Sequence, residues 1–272
     1  YIFSTLGRWQ LSAGSQQRSW GIFSAGLVLG PAIILVLEIL AGAVIVLLGI
    51  LYISLRPDLQ QQMALLGERI NAAGNSPDAI LKLLEPYLFN PLVLLITFAF
   101  LSGVVPLIEE ALKPIGVWLV AGSHLTAAQG FAAGLISGSG YALFENLALS
   151  NTGSDWTVTL IGRIGTGLLH ITTAGLTGWA LVTAINQRRY LRLGAVYLLA
   201  VLIHGLWNAL ALVSAASGLD LTGTGSLGVR YADLARLSQW ATVGLSLLVV
   251  VIFLILMAFN RSMRRQARSE VI

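Results

Sequence analysis

The chain has 272 residues, 56% of them hydrophobic and 10% charged, with 29 glycines and a mean hydropathy of +0.82. A soluble domain carries roughly 25% charged residues, so a chain this apolar cannot cover its surface in water; a soluble enzyme is excluded and an integral membrane protein is implied. The formal charge of +4 comes from basic residues at the ends of apolar runs, where they report orientation in a bilayer and imply no nucleic-acid partner.

Apolar runs at about 26–54, 91–121, 126–149, 158–186, 193–215 and 238–259 predict six spanning helices. The runs do not alternate apolar and polar residues, which excludes an outer-membrane barrel. The expected fold class is all-α, a polytopic transmembrane helix bundle forming one domain over 1–272. Arg8 and Arg18 precede the first run, Arg188, Arg189 and Arg192 fill the fourth connection, and Arg261, Arg264, Arg265 and Arg268 follow the last. Six spans bring all three clusters to one side, which predicts a multi-pass protein of the cell (inner) membrane with both termini cytoplasmic. Residues 1–25 are then a cytoplasmic-side N-terminal segment and 260–272 a basic cytoplasmic tail. Residues 91–215 form the helix core that carries the candidate site, and the start at Tyr1 in place of methionine suggests a removed upstream segment.

The first run contains a lone Glu38, for which burial against a polar neighbour or snorkelling outweighs an ion path. Residues 55–90 form the only sizeable polar connection. Leu59, Met63, Leu66 and Ile70 recur at helical spacing, and Ser76-Pro77-Asp78 reads as a cap, a first-turn proline and a favourable acid. An extracytoplasmic, amphipathic helical hairpin lying on the interface is expected there. The second run is long and holds Pro106 and Pro114, which predicts a tilt, kink or break. Gly130, Gly134 and Gly138 repeat every four residues on the third run and predict close helix packing. Without cysteine, neither disulfides nor thiolate chemistry are available, and no internal repeat is evident.

A charge at the centre of a spanning helix costs roughly 2.5 to 3.5 kcal/mol, so each one needs a partner or a task. Glu109, Glu110 and Lys113 lie on the second run, Glu145 and Asn146 on the third, Arg163 and His170 on the fourth, and His204 and Asn208 on the fifth. Glu109 and Lys113 share a helix face, as do His204 and Asn208, whereas adjacent Glu109 and Glu110 diverge by about 100°. Both histidines lie roughly 11 or 12 residues into their spans, at matching depth near the midplane. Glu145 and Arg163 are equidistant from a turn near Ser154, so they should face each other near the outer surface, above the histidines.

Imidazoles, carboxylates and an amide in a dry cavity can hydrolyse a bond in two ways. A carboxylate takes a proton from water while His and Asn stabilise an oxyanion, or His and Glu hold a metal whose water attacks. The plainer readings are an i,i+4 pair for Glu109 with Lys113, and helix-to-helix hydrogen bonds for single His or Asn residues.

Glu109-Glu110-Ala-Leu-Lys113 resembles the Glu-Glu-x-x-Lys motif of the PrsW family of intramembrane proteases. Gly140 to Asn146 is similar to the family's second motif, Arg163 with His170 to its third, and His204-x-x-Trp-Asn208 to its last. The likeness covers about residues 95–212. The resemblance implies cleavage of membrane-anchored proteins, of which anti-sigma factors are the founding example, with the paired Glu and the two His as the catalytic set.

The leading expectation is an intramembrane endopeptidase of the glutamate type. Glu109 or Glu110, with Glu109 slightly preferred, activates water; His170 and His204 position it and polarise the carbonyl; Asn208 donates to the oxyanion; Lys113 tunes the carboxylates, and Glu145, Asn146 and Arg163 support. No metal is favoured, since the His-Glu-x-x-His spacing is missing; zinc held by His170, His204 and Glu109 or Glu110 is the alternative. The alternatives from another class are a non-catalytic membrane scaffold and a transporter. The expected partners are a membrane-anchored protein substrate and the lipid bilayer.

Overall fold

The computed structural model describes residues 2–88, 90–122, 124–148, 156–216 and 228–269, and the described residues contain helices and turns with no strand. A short α1 (Ile2–Gly7) precedes α2 (Gln16–Ser24), whose first turn is capped by Ser15 accepting from the Arg18 amide. This cap starts the first long helix well before its apolar run. α2 passes through one widened π turn (Ala25–Leu29) into α3 (Gly30–Ser54), giving a continuous 39-residue helix. Along α3, Gly30 approaches Ile115 and Gly42 approaches Phe100, so Glu38 between them is turned toward the second run. Glu38 is half-buried, and its Oε1 is enclosed without a hydrogen bond.

Helices α4 (Pro57–Ala73) and α5 (Pro77–Leu88) occupy the 55–90 connection. Both open on proline, whose missing N–H costs nothing at a helix start, and Ser76 Oγ accepts from Ala79 N.

The second run is interrupted as its prolines predict. α6 (Pro91–Ala99) widens into a π turn (Phe100–Val104) just before Pro106, continues as α7 (Val105–Leu112), breaks at Lys113-Pro114 and resumes as α8 (Ile115–Val120). Proline cannot donate into the ladder and its ring crowds the preceding turn. Then follow α9 (Ala127–Ala148), α10 (Trp156–Gln187), α11 (Tyr190–Ala216) and α12 (Gly228–Ser269). The expected turn near Ser154 lies outside the described residues.

Five helices, 16–54, 91–120, 162–187, 190–215 and 236–269, are long and apolar enough to cross a membrane, which makes this a multi-pass membrane protein. α9 has 22 residues but is richer in Gly, Ala and Ser, and it is enclosed by its neighbours along most of its length. Small side chains explain both properties. A Cβ on Gly138 would lie 2.6 Å from the His170 carbonyl oxygen, one on Gly130 2.9 Å from that of Gly178, and one on Gly134 would overlap the Ala174 carbonyl. The expected close packing of the Gly130/Gly134/Gly138 stripe is therefore real, and α10 is its partner. On the opposite side of α9, Gly140 meets the Phe23 carbonyl and Gly26 meets that of Ser137, which seats the α2 to α3 helix.

The basic clusters share one end of the bundle. Asn260 Nδ2 donates to the carbonyls of Gly7 (2.7 Å) and Trp9 (3.2 Å), tying the end of α1 beside Arg8 to α12. Arg192 stacks on Trp179, which packs on Phe259.

Gly134→Val should prevent folding or lower the thermal midpoint sharply, since overpacking of this kind costs about 1–3 kcal/mol or more. Gly49→Ala, at a glycine with nothing within 4 Å of its added Cβ, should stay within about 0.5 kcal/mol. Thermal unfolding in detergent, with recovery of monodisperse protein, compares the two.

Candidate active site

Lys113 terminates α7 at the break before Pro114, and its side chain is fully buried. Its Nζ lies 2.7 Å from Glu110 Oε1, 2.9 Å from Glu109 Oε2, 2.6 Å from His170 Nδ1 and 3.2 Å from His204 Nδ1. Two carboxylates and two imidazoles thus surround a group with three N–H donors. Glu109 Oε2 is the one close in charge but not aligned for a hydrogen bond, and Glu110 Oε2 is likewise enclosed without one. Although the two acids leave the helix in different directions, the i,i+3 and i,i+4 offsets let one lysine reach both. They differ in access: the Glu109 side chain keeps 11% of its exposure and Glu110 keeps none.

The two histidines converge as their matching depth predicts, with ring centroids 5.3 Å apart in an edge-to-face arrangement. His170 uses both ring nitrogens. Nε2 hydrogen-bonds Glu145, which leaves Nδ1 as acceptor for the Lys113 ammonium in the neutral ring. His204 Nδ1 lies 3.0 Å from Glu110 Oε1, and its Nε2 lies 3.8 Å from Glu109 Oε2.

Glu145 corrects the expectation that set it apart from the histidines. It does meet Arg163, with Nη1 to Oε1 at 3.1 Å, but its other oxygen binds His170. The reason is geometric. Helical side chains lean toward the N-terminus of their helix, so His170 leans along α10 toward the Arg163 end, where the close α9 to α10 contact presents Glu145.

Asn208 departs from the expected convergence. Its Nδ2 donates to Leu101 O at 2.8 Å, across to the π turn, and among the described residues it makes no hydrogen bond to either imidazole. The widened turn needs support for its carbonyls, and the adjacent Gly205 lets α11 approach the Ser102 carbonyl closely. Asn146 is half-buried, and its side chain makes no hydrogen bond among the described residues.

A sequence model of the family described as PrsW family intramembrane metalloprotease matches residues 20–258. The chain belongs to the PrsW family. It is thereby placed among membrane proteases, in agreement with the resemblance carried by the Glu-Glu-x-x-Lys segment. No curated protein and no solved structure matches the chain.

In this PrsW-family chain, two residues that the sequence reading passed over complete the site. Tyr141 is in edge-to-face contact with His170 at 5.1 Å, and Lys113 Nζ lies 5.1 Å from the Tyr141 ring centroid. Ser137 Oγ donates to Lys113 O at 2.6 Å and accepts from Gly116 N at 3.2 Å, which closes the backbone break around Pro114. The available signal was a four-residue spacing: Ser137, Tyr141 and Glu145 form one stripe of α9, hidden because serine and tyrosine carry no insertion penalty comparable to a charge.

Ser137→Ala strands a buried carbonyl and a buried amide. It should lower stability by about 1–3 kcal/mol and reduce proteolytic activity, since the base of Lys113 loses its anchor. Thermal unfolding and cleavage assays on the same preparation measure the two effects, and Ser139→Ala, whose hydroxyl only back-bonds to Leu135 O, serves as the neutral comparison.

Proposed function

We propose that the chain is an intramembrane endopeptidase that hydrolyses membrane-anchored proteins, of the anti-sigma-factor kind, by glutamate-activated water. The observation that carries this reading is the pairing of Glu109 Oε2 with His204 Nε2. The two atoms are 3.8 Å apart, too far for a direct hydrogen bond, and Glu109 Oε2 has no hydrogen-bond partner. In this reading the attacking water enters from the side on which the Glu109 side chain keeps 11% of its exposure. Glu109, the more accessible acid, takes the proton as that water attacks the scissile carbonyl. Glu110 and Lys113 hold the carboxylate in place, and the ammonium favours the negative charge that develops on the carbonyl oxygen. His170, held by Glu145 and Arg163, fixes the ammonium through Nδ1. Asn208 has a second amide N–H beyond the one given to Leu101, which keeps a role as oxyanion donor open to it.

The second reading rests on the family description and on the donor set itself. Glu109, His170 and His204 present ligand atoms all within 4.8 Å of one another, the kind and spread of donors that zinc takes. Those three residues would hold the ion, which polarises a carbonyl and acidifies bound water. The glutamate reading is preferred because the Lys113 ammonium stands among the same donors and His170 has both nitrogens committed. Orientation with both termini cytoplasmic belongs to the proposal and is supported by the shared end of the arginine clusters.

Glu109→Gln should lower kcat on single-span substrates by about 10²–10⁴-fold while the fold survives, because the amide keeps the shape but cannot take the proton. Wild-type rates in this variant, measured with purified protein and a substrate panel, would remove Glu109 as base.

Activity should persist in chelator and elemental analysis should find no stoichiometric zinc. One zinc per chain, lost with activity and restored with it, would transfer the role to the metal.

A further inference from the structure

At the opposite pole of the chemistry from the hydrolytic cluster lies a second set of charges. Arg261, Arg264, Arg265 and Arg268 line an open cavity of about 280 Å³ on the surface of the end of α12. Their spacing puts them on one helix face, spread over about 10 Å. Among the described residues none of the four makes an ion pair; Arg268 Nη2 has only the Gln10 amide oxygen, at 3.4 Å. Arg264 is half-buried, and its Nε is enclosed with no hydrogen-bond partner. Four cations so close repel one another, and an enclosed N–H without an acceptor is costly, so the arrangement calls for an anion that accepts several hydrogen bonds.

We propose that this cavity binds the phosphodiester headgroup of an anionic phospholipid, with diphosphatidylglycerol as the best-matched class. Guanidinium forks match phosphate oxygens in a bidentate manner, and two phosphodiesters answer four arginines better than one. Position selects a lipid over a soluble phosphate. Asn260 ties the Trp9 backbone to α12 one turn before Arg264, and the Trp9 ring is exposed beside this end, as aromatic residues at headgroup depth are. Arg8 and Arg192, at the same end, extend the same positive field. Basic pockets at the ends of spanning helices hold such headgroups by the same physics.

The test uses the purified full chain in neutral detergent, titrated with diphosphatidylglycerol, phosphatidylglycerol, phosphatidylcholine or glycerol phosphate, with bound lipid counted by native mass spectrometry. Diphosphatidylglycerol should be retained in preference to phosphatidylcholine. Arg265→Gln and Arg261→Gln, both at exposed positions, should each weaken it about fivefold. Arg69→Gln on α4 should change nothing, and all variants should melt as the wild type does. Equal retention of phosphatidylcholine, or undiminished binding in the cavity variants, overturns the proposal. Glycerol phosphate binding as tightly as the lipid would assign the cavity to a soluble phosphate and overturn it as well.

Discussion

The buried ammonium of Lys113 is the constraint around which the bundle is arranged. A fully enclosed cation is tolerable only if acceptors surround it, and one helix cannot supply them all. Glu109 and Glu110 come from α7, His170 from α10 and His204 from α11, so three helices must meet at one point. The glycine face of α9 makes that meeting feasible by letting α10 approach until backbone touches backbone. The break at Pro114 then turns the lysine inward, and Ser137 satisfies the backbone groups that the break exposes.

Around this centre the polar groups divide their work by enclosure. Glu110 is sealed and held by Lys113 and His204, a position suited to keeping charge and shape constant. Glu109 is the one of the two acids that retains exposure, 11% of its side chain, and this access suits it to the part of base in the proposed reaction. Glu145 joins two groups: Arg163 holds one of its oxygens and the other holds the His170 ring, as carboxylates commonly do for imidazoles. The π turn at Phe100–Val104 is part of the same economy. Asn208 and Gly205 clamp it, which holds the register between α11 and the second run on which the His204 position depends.

The membrane surface imposes a second, separate logic. Inside the bilayer Glu109, Glu110, Lys113, Glu145 and Arg163 are matched within a few ångströms, whereas the arginines at the end of α12 remain unmatched by carboxylates among the described residues. Charges of one sign are affordable only where water, counterions or anionic headgroups can answer them. The contrast explains why one chain holds both an ion-paired polar core and a strongly basic rim.

Much of the protein was legible without coordinates. Long apolar runs carried the helix positions, Pro106 and Pro114 announced the interruption of the second run, the glycine stripe announced a close contact, and the equal depth of His170 and His204 announced their convergence. These features depend on local composition and on helical period, which a linear string records directly. The direction of each side chain at the end of its reach was decided by tertiary structure. Glu145 was read as Arg163's partner alone because hairpin symmetry gives depth but not the lean of His170; Asn208 was read as part of the site because sharing a face with His204 does not reveal the π turn opposite. Lys113 was read as a modifier of two acids, yet it also meets two imidazoles from other helices. Sequence alone determined which polar groups had to be satisfied inside the membrane, since burial cost is a property of the residue. Only the packing of α7, α9, α10 and α11 decided which of them satisfied one another, since that depends on helix separations set by glycines elsewhere along the chain.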